Sequence, residues 1–172
     1  MTGLMVARRA GGADVPAMYR IYNENLDDRF DPGAIEFFML QWPRGQFVAG
    51  PVTGGTAGAL SSYILEDGTI SVALLAVDAP YRGLGAGSAL LDMIVPEAIG
   101  VGAPRIQLEA RVTNLRAISF YERRGFRRTC RLPSLYSDGG DGVRMVLDLG
   151  RAGAADRPRR RRPPRSRLRS PS

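Results

Sequence analysis

The sequence predicts a single α/β domain built on a mixed sheet. Three observations predict it. Short runs rich in Val, Ile and Leu are separated by segments of helical periodicity. Several of the strand-like runs are joined only by tight turns, as antiparallel hairpins require. Finally, Ser71 to Leu91 reads as a buried strand, a glycine-rich turn and a helix in direct succession.

In chain order, Leu4 to Arg8 reads as a first strand. Asp14 is placed to cap a helix through Asn25, with Pro16 in its first turn and Val15, Met18, Ile21 and Tyr22 along one face. Asp31-Pro32 repeats that start for a second helix, which Pro43 ends. The intervening Leu26-Asp-Asp-Arg-Phe30 has the composition of a solvated turn. Gln46 to Ala49, Ala57 to Leu65 and Ile70 to Val77 are strands, the last two joined through a hairpin turn at Glu66-Asp-Gly68. After the helix that ends near Gly100, Ile106, Leu108, Ala110 and Val112 alternate with Gln107, Glu109 and Arg111, which predicts a half-buried strand with one polar face. Asn114 can cap a helix over Leu115 to Arg124 that Gly125 closes. Phe126 to Leu132 and Val143 to Leu149 complete the sheet across a glycine-rich turn.

Composition narrows the chemistry. The chain of 172 residues has no His and no Lys, which removes His-based triads, His-ligated zinc and a Walker lysine together. Cys130, the one cysteine, excludes an internal disulfide and reads as a small half-buried side chain. No apolar run approaches the ~20 residues of a membrane span, and the N-terminus lacks the pattern of a signal peptide, so a cytoplasmic location without membrane attachment is expected. Residues 151–172 hold nine of the 24 arginines against one acid, Asp156, whereas residues 1–150 hold 15 arginines against 16 acids. The net charge of +7 therefore belongs to a Pro- and Arg-rich tail that is expected to be disordered.

The turn after the Ile70–Val77 strand carries three glycines, Gly83, Gly85 and Gly87, and opens a helix. Such a turn aims unpaired backbone N–H groups and the positive end of a helix dipole at one point, which suits a phosphate; Arg82 adds a charged donor. Arg82-x-x-Gly85-x-Gly87, entered from Leu-Ala-Val and Pro80-Tyr81, resembles the pyrophosphate loop of the GNAT superfamily of acetyl-CoA-dependent N-acetyltransferases. Asn114-Leu-Arg-Ala-Ile-Ser-Phe-Tyr-Glu-Arg-Arg-Gly-Phe resembles that family's second motif, at the right distance from the first. Within the family, Asn23-Glu-Asn-Leu-Asp-Asp-Arg-Phe, Trp42-Pro43, Leu108-Glu-Ala-Arg-Val-Thr-Asn and Leu135-Tyr-Ser-Asp-Gly-Gly-Asp are similar to segments of the protein N-terminal acetyltransferases of Ard1 and RimI type.

The resemblance implies a GNAT domain over residues 1–150, with a mixed, mostly antiparallel central sheet and helices on both faces. It implies acetyl-CoA as co-substrate and the N-terminal α-amine of a protein or peptide as acceptor. The splayed backbone at Leu75, Ala76 and Val77 would hold the acetyl carbonyl and pantetheine arm. Arg82, Gly83, Leu84, Gly85, Ala86, Gly87 and Ser88 would hold the pyrophosphate, and Asn114 would contact the cofactor while capping its helix. Glu109 would take the amine proton through water, and Tyr121 would sit near the sulfur and donate to the departing thiolate. By spacing alone, Glu109 reads first as a surface carboxylate paired with Arg111, and Tyr121 also fits a core aromatic of an amphipathic helix. Asp28, Phe30 and Tyr136 would line the substrate side. Three positions depart from the pattern: Phe30 stands for a substrate-contacting Tyr, Asp28 for a Glu, and Ser71 for a His that in some relatives shares a water or metal with the strand Glu. No metal is expected here.

Elementary acid–base chemistry favours the α-amine. With a pKa near ~7.8 it is roughly one-seventh neutral at pH 7, whereas a lysine amine near ~10.4 is neutral in well under a thousandth of molecules. The Arg-rich tail suggests a tether to ribosomal RNA through phosphate neutralisation, against the plainer reading of a solvated extension. Two other functions fit the motifs less fully: acetylation of a small-molecule amine, and a non-catalytic acyl-CoA- or RNA-binding module.

Overall fold

The computed structural model describes residues 3–150. The expected tail at 151–172 lies outside the described residues. The described residues form seven strands and four α-helices: β1 Met5–Arg9, α1 Val15–Asn25, α2 Pro32–Gln41, β2 Gln46–Pro51, β3 Gly58–Ile64, β4 Ile70–Val77, α3 Ala86–Gly100, β5 Arg105–Arg111, α4 Leu115–Arg123, β6 Arg127–Leu132 and β7 Gly142–Asp148. The strands make one sheet in the order β1-β2-β3-β4-β5-β7-β6. Every neighbouring pair is antiparallel except β4 with β5. Among the described residues no helix is long and apolar enough to cross a membrane.

The two faces of the sheet bury separate cores, as period-2 alternation dictates. Phe47, Ala49, Leu60, Ile106 and Leu108 pack with Leu90, Leu91 and Ile94 of α3 and with Ile118 and Tyr121 of α4. Val48, Ala59, Leu74 and Ala76 pack with Met18, Ile21 and Tyr22 of α1 and Ile35 of α2. The expected layering, with helices on both faces of a mostly antiparallel sheet, is thus present.

Alternation breaks at Thr129 of the edge strand β6 and, next to the centre of the sheet, in β4. Ser61 pairs with Leu74 but Ser62 pairs with Val72, so Ala73 is an extra residue. As a result Ala73 and Leu74 both face α1 and α2, and Leu75 and Val77 return to the side of α3. A bulge of this kind bends its strand and re-aims the residues after it. Here those residues are Leu75 to Val77.

The helix starts are explained by their caps, with one correction. Asp31 accepts from the Ala34 N–H at 2.9 Å, and Asn114 accepts from the Ala117 N–H at 3.1 Å. Asp14 does not cap α1. Its carboxylate accepts from Arg8 Nη1 and Nη2 at 2.8 and 2.7 Å and from the Gly11 N–H at 2.9 Å, so it pins the turn between β1 and α1. Both oxygens are thus engaged on the side of β1, and the charged Arg8 fork, helped by the Gly11 N–H, holds the carboxyl below its ordinary range.

Candidate active site

The site is opened by the one parallel pair in the sheet. β4 and β5 are in register only at Ile70↔Ile106 and Ser71↔Gln107, after which they diverge. From Leu75 to Val77, β4 stays bonded to β3 through Leu75↔Leu60, Ala76↔Ala59 and Val77↔Gly58. Its other edge is left without a strand partner, so its backbone polar groups face an opening. A cleft of about 660 Å³ lies there, lined by Leu75, Ala76, Val77, Arg82, Gly83, Gly85, Gly87, Ser88, Asn114 and Tyr121 among others.

At its far end the cleft meets the start of α3. Gly83 and Gly85 have φ of +76° and +97°, in the left-handed region that favours glycine. Gly85 precedes the first helical residue, Ala86, and accepts the Ala89 N–H at 2.9 Å, so the N–H groups of the turn before Ala89 have no intrahelical acceptor. Ala86 is buried in the core and Leu84 is partly exposed; neither lines the cleft, and any part they take is through their backbone.

Arg116, Arg123 and Arg124 also line the cleft. Sequence reasoning misses them, although a spacing of seven residues places Arg116 and Arg123 on one face of α4 and Arg124 follows at its C-terminal end. Arg124 is paired with Asp92 of α3.

Arg82 does not reach freely forward as a phosphate donor. Its Nε donates to the Val77 carbonyl at 3.0 Å and its Nη2 to Asn25 Oδ1 at 2.8 Å. Asn25 in turn donates to the Ile21 carbonyl at 2.9 Å and to Asp78 Oδ1 at 2.8 Å, and Asp78 also binds Arg20. Asn25 therefore ties the end of α1 to both the end of β4 and the glycine turn. Its partners beyond α1, Asp78 and Arg82, lie more than 50 residues away, so spacing along the chain does not reveal this tie.

Glu109 lies on the opposite face of β5 from the buried Leu108 and Ala110 and is not part of the cleft lining. The ion pair with Arg111 that its spacing suggests is not formed. Its cross-strand partner on β7, Arg144, donates to Glu109 Oε1 at 2.9 Å instead. Arg111 reaches past it, donating to Asp27 in the α1–α2 loop and to Asp138 at 3.0 Å in the β6–β7 hairpin.

Tyr121 is buried against Phe120 and Phe126, with no protein partner for its hydroxyl among the described residues. Burial raises its pKa, and the nearby Tyr136 phenol adds to the shift, so Tyr121 keeps its proton.

Tyr136 is where the candidates converge. Its ring lies under the Arg111 guanidinium at 4.1 Å, and it feels the charges of Glu109, Asp28 and Asp27. Burial raises its pKa most, with the Arg111 charge opposing. Asp28 accepts from the Ser137 hydroxyl across the same mouth. The Phe30 ring is half-buried and meets Tyr22 edge-on at 6.3 Å, packed with the α1–α2 core. Its backbone is held by Asn23, which accepts from the Phe30 N–H at 3.0 Å and donates to the Phe30 carbonyl at 2.9 Å. The segment with the composition of a solvated turn is therefore anchored at both ends. Ser71, the third departure, is buried in β4 opposite Gln107.

The cleft fits a nucleotide thioester. It joins a glycine turn with free N–H groups and arginines at one end to an unpaired strand edge at the other, which are complements to a pyrophosphate and to an amide-bearing arm. Fold and cleft together define an acyl-CoA-dependent transferase.

Comparison with known proteins agrees. Residues 15–126 match the Acetyltransferase (GNAT) family. N-alpha-acetyltransferase 30 of Dictyostelium discoideum is 30% identical over 143 residues, covering 81% of this chain and 76% of that protein. Of solved structures, Ard1 from Thermoplasma volcanium superposes with a TM-score of 0.79 at 28% identity, covering 84% of this chain and 97% of that one. The ribosomal-protein-S18-alanine N-acetyltransferase from Escherichia coli superposes with 0.76 at 26%, covering 88% and 98%. The chain belongs to the GNAT acetyltransferase family and is an acetyl-CoA-dependent N-acetyltransferase.

Proposed function

We infer that the protein transfers acetyl to the N-terminal α-amino group of proteins or peptides. The observation that carries the reading is the divergence of β4 and β5. It opens the cofactor cleft, and Tyr121 of that cleft lies close enough to Tyr136 to feel its phenol, which in turn feels Glu109 and Asp28. Similarity to an N-alpha-acetyltransferase and to a structure named as a ribosomal-protein-S18-alanine N-acetyltransferase supports it.

Acetyl-CoA supplies an acyl group already activated as a thioester. The residues do the rest. Backbone N–H groups along the free edge of Leu75–Val77 are aimed at the carbonyl oxygen, where charge develops during attack. N–H groups from Gly83 to Ser88, with Arg116 and Asn114, seat the pyrophosphate end, and Arg82, tied to Val77 and Asn25, holds the turn that presents them. Glu109, steadied by Arg144, removes the amine proton through water. Tyr121, protonated throughout the working range, donates to the leaving sulfur.

Short peptides with varied first residues, each free and N-terminally blocked, test the assignment by thiol release. Free peptides should be turned over and blocked ones should not. Equal turnover of blocked, lysine-containing peptides would overturn the α-amine assignment, and turnover of small amines alone would favour a small-molecule substrate. The chain contains no lysine, so its own side chains add no competing amine to the assay.

The Arg-rich residues 151–172 are the basis for a second proposal, that they tether the enzyme to ribosomal RNA in the cytoplasm, near emerging N-termini. Their nine arginines against one acid support it. Truncation after Gly150 should leave peptide turnover unchanged and reduce salt-sensitive RNA binding. Undiminished RNA binding by the truncated protein would end the tethering idea.

A further inference from the structure

We propose that Arg111 is a positioning residue that latches the α1–α2 loop to the β6–β7 hairpin and so sets the width of the mouth through which the amine enters. The proposal rests on the α-amine reading above and adds to it a specific device for holding the acceptor chain.

Arg111 is the last residue of β5, two positions beyond Glu109 and on the same face of the strand, so the two side chains stand roughly 6–7 Å apart along it. From there its guanidinium binds both walls of the mouth. Nε donates to Asp27 Oδ2 in the α1–α2 loop, and Nη1 donates to Asp138 Oδ1 at 3.0 Å in the hairpin. The Tyr136 ring of that same hairpin lies against it at 4.1 Å. Beside these ties, Ser137 of the hairpin donates to Asp28 of the loop. Five residues from two segments more than 100 positions apart in the chain are joined around this one point.

Two features point to positioning rather than to stability. Asp27 and Asp138 are each more than three-fifths exposed, and ion pairs whose acid stands in water add little to folding. The Arg111 Nη2 is also buried with no acceptor among the described residues. A guanidinium stretched between two loops meets one carboxylate with Nε and the other with Nη1, and Nη2 faces neither. The hairpin is shaped to let it pass, because a Cβ at Gly140 would run into the guanidinium.

The test uses two variants of the full chain that reach the latch from opposite sides. Arg111→Gln removes the charge and the fork. Gly140→Ala keeps every polar group but displaces the guanidinium, and Gly140 does not have the positive φ that would strain an alanine. Amide hydrogen exchange should rise in both residues 26–31 and residues 133–141 in each variant, with the rest of the sheet unchanged. In steady-state assays the KM for a peptide should rise on the order of tenfold while that for acetyl-CoA stays put, the size expected for losing one charge-assisted tie. Exchange that rises in only one segment, or in neither, would overturn the latch, as would equal increases in both KM values. If wild type acetylates no peptide at all, the α-amine reading falls, and the exchange data still judge the latch by themselves.

Discussion

Glu109→Gln is expected to lower kcat for a peptide α-amine by about 10²–10⁴-fold at neutral pH, the usual contribution of a positioned general base. The substitution is conservative where it matters structurally. Glutamine has the same length, and its carbonyl oxygen can still accept from Arg144, which now meets Glu109 Oε1 at 2.9 Å. Glu109 is on the polar face of β5 and outside the core, so folding should be little affected. What is lost is the ability to take a proton. The deficit should therefore shrink as pH rises through ~7.8, where an α-amine deprotonates without help. Initial rates from pH 6 to 9 with saturating acetyl-CoA would show it. A small loss, or one that is the same at every pH, would return Glu109 to the plainer role of a surface carboxylate.

Tyr121→Phe is the second large effect, a fall in kcat on the order of 10²-fold, comparable to deleting one preorganised donor at a reacting centre. Tyr121 is buried among aromatics, and those contacts survive in phenylalanine. Its hydroxyl has no protein partner among the described residues, so the melting temperature should hardly move. The sign of the pH effect comes from burial, which raises the phenol pKa above its ordinary value. Wild type should thus show no falling alkaline limb near ~10, where an unperturbed tyrosine would lose its proton. Unchanged turnover together with a lower melting temperature would assign Tyr121 to the core alone.

Much of this molecule is legible along the chain because the signals are local. Hydrophobic periodicity, the Asp31 and Asn114 caps and the glycine turn each depend on residues within a few positions of one another. The strand and helix ends predicted from them agree with the structure to within two residues. The catalytic candidates are reachable because motif spacing is also a property of the linear chain.

Other features arise only when distant segments meet. The Ala73 bulge leaves no mark in a run of small and branched residues, since the alternation on either side is intact and only the strand pairing shows the shift. Asp14 has the position of a cap, yet Arg8 claims it. Glu109 has Arg111 two residues away on its own strand. Nevertheless the cross-strand neighbour Arg144 is the one that reaches it, because directly opposed side chains in a sheet are closer than alternate ones on a single strand. Asn25 and the Arg111 latch join groups more than 50 positions apart. The linear sequence by itself determined the fold class, the cofactor and the chemistry. Tertiary structure decided which charges pair and how the mouth is held, because pairing is a matter of distance in space, which sequence separation does not measure.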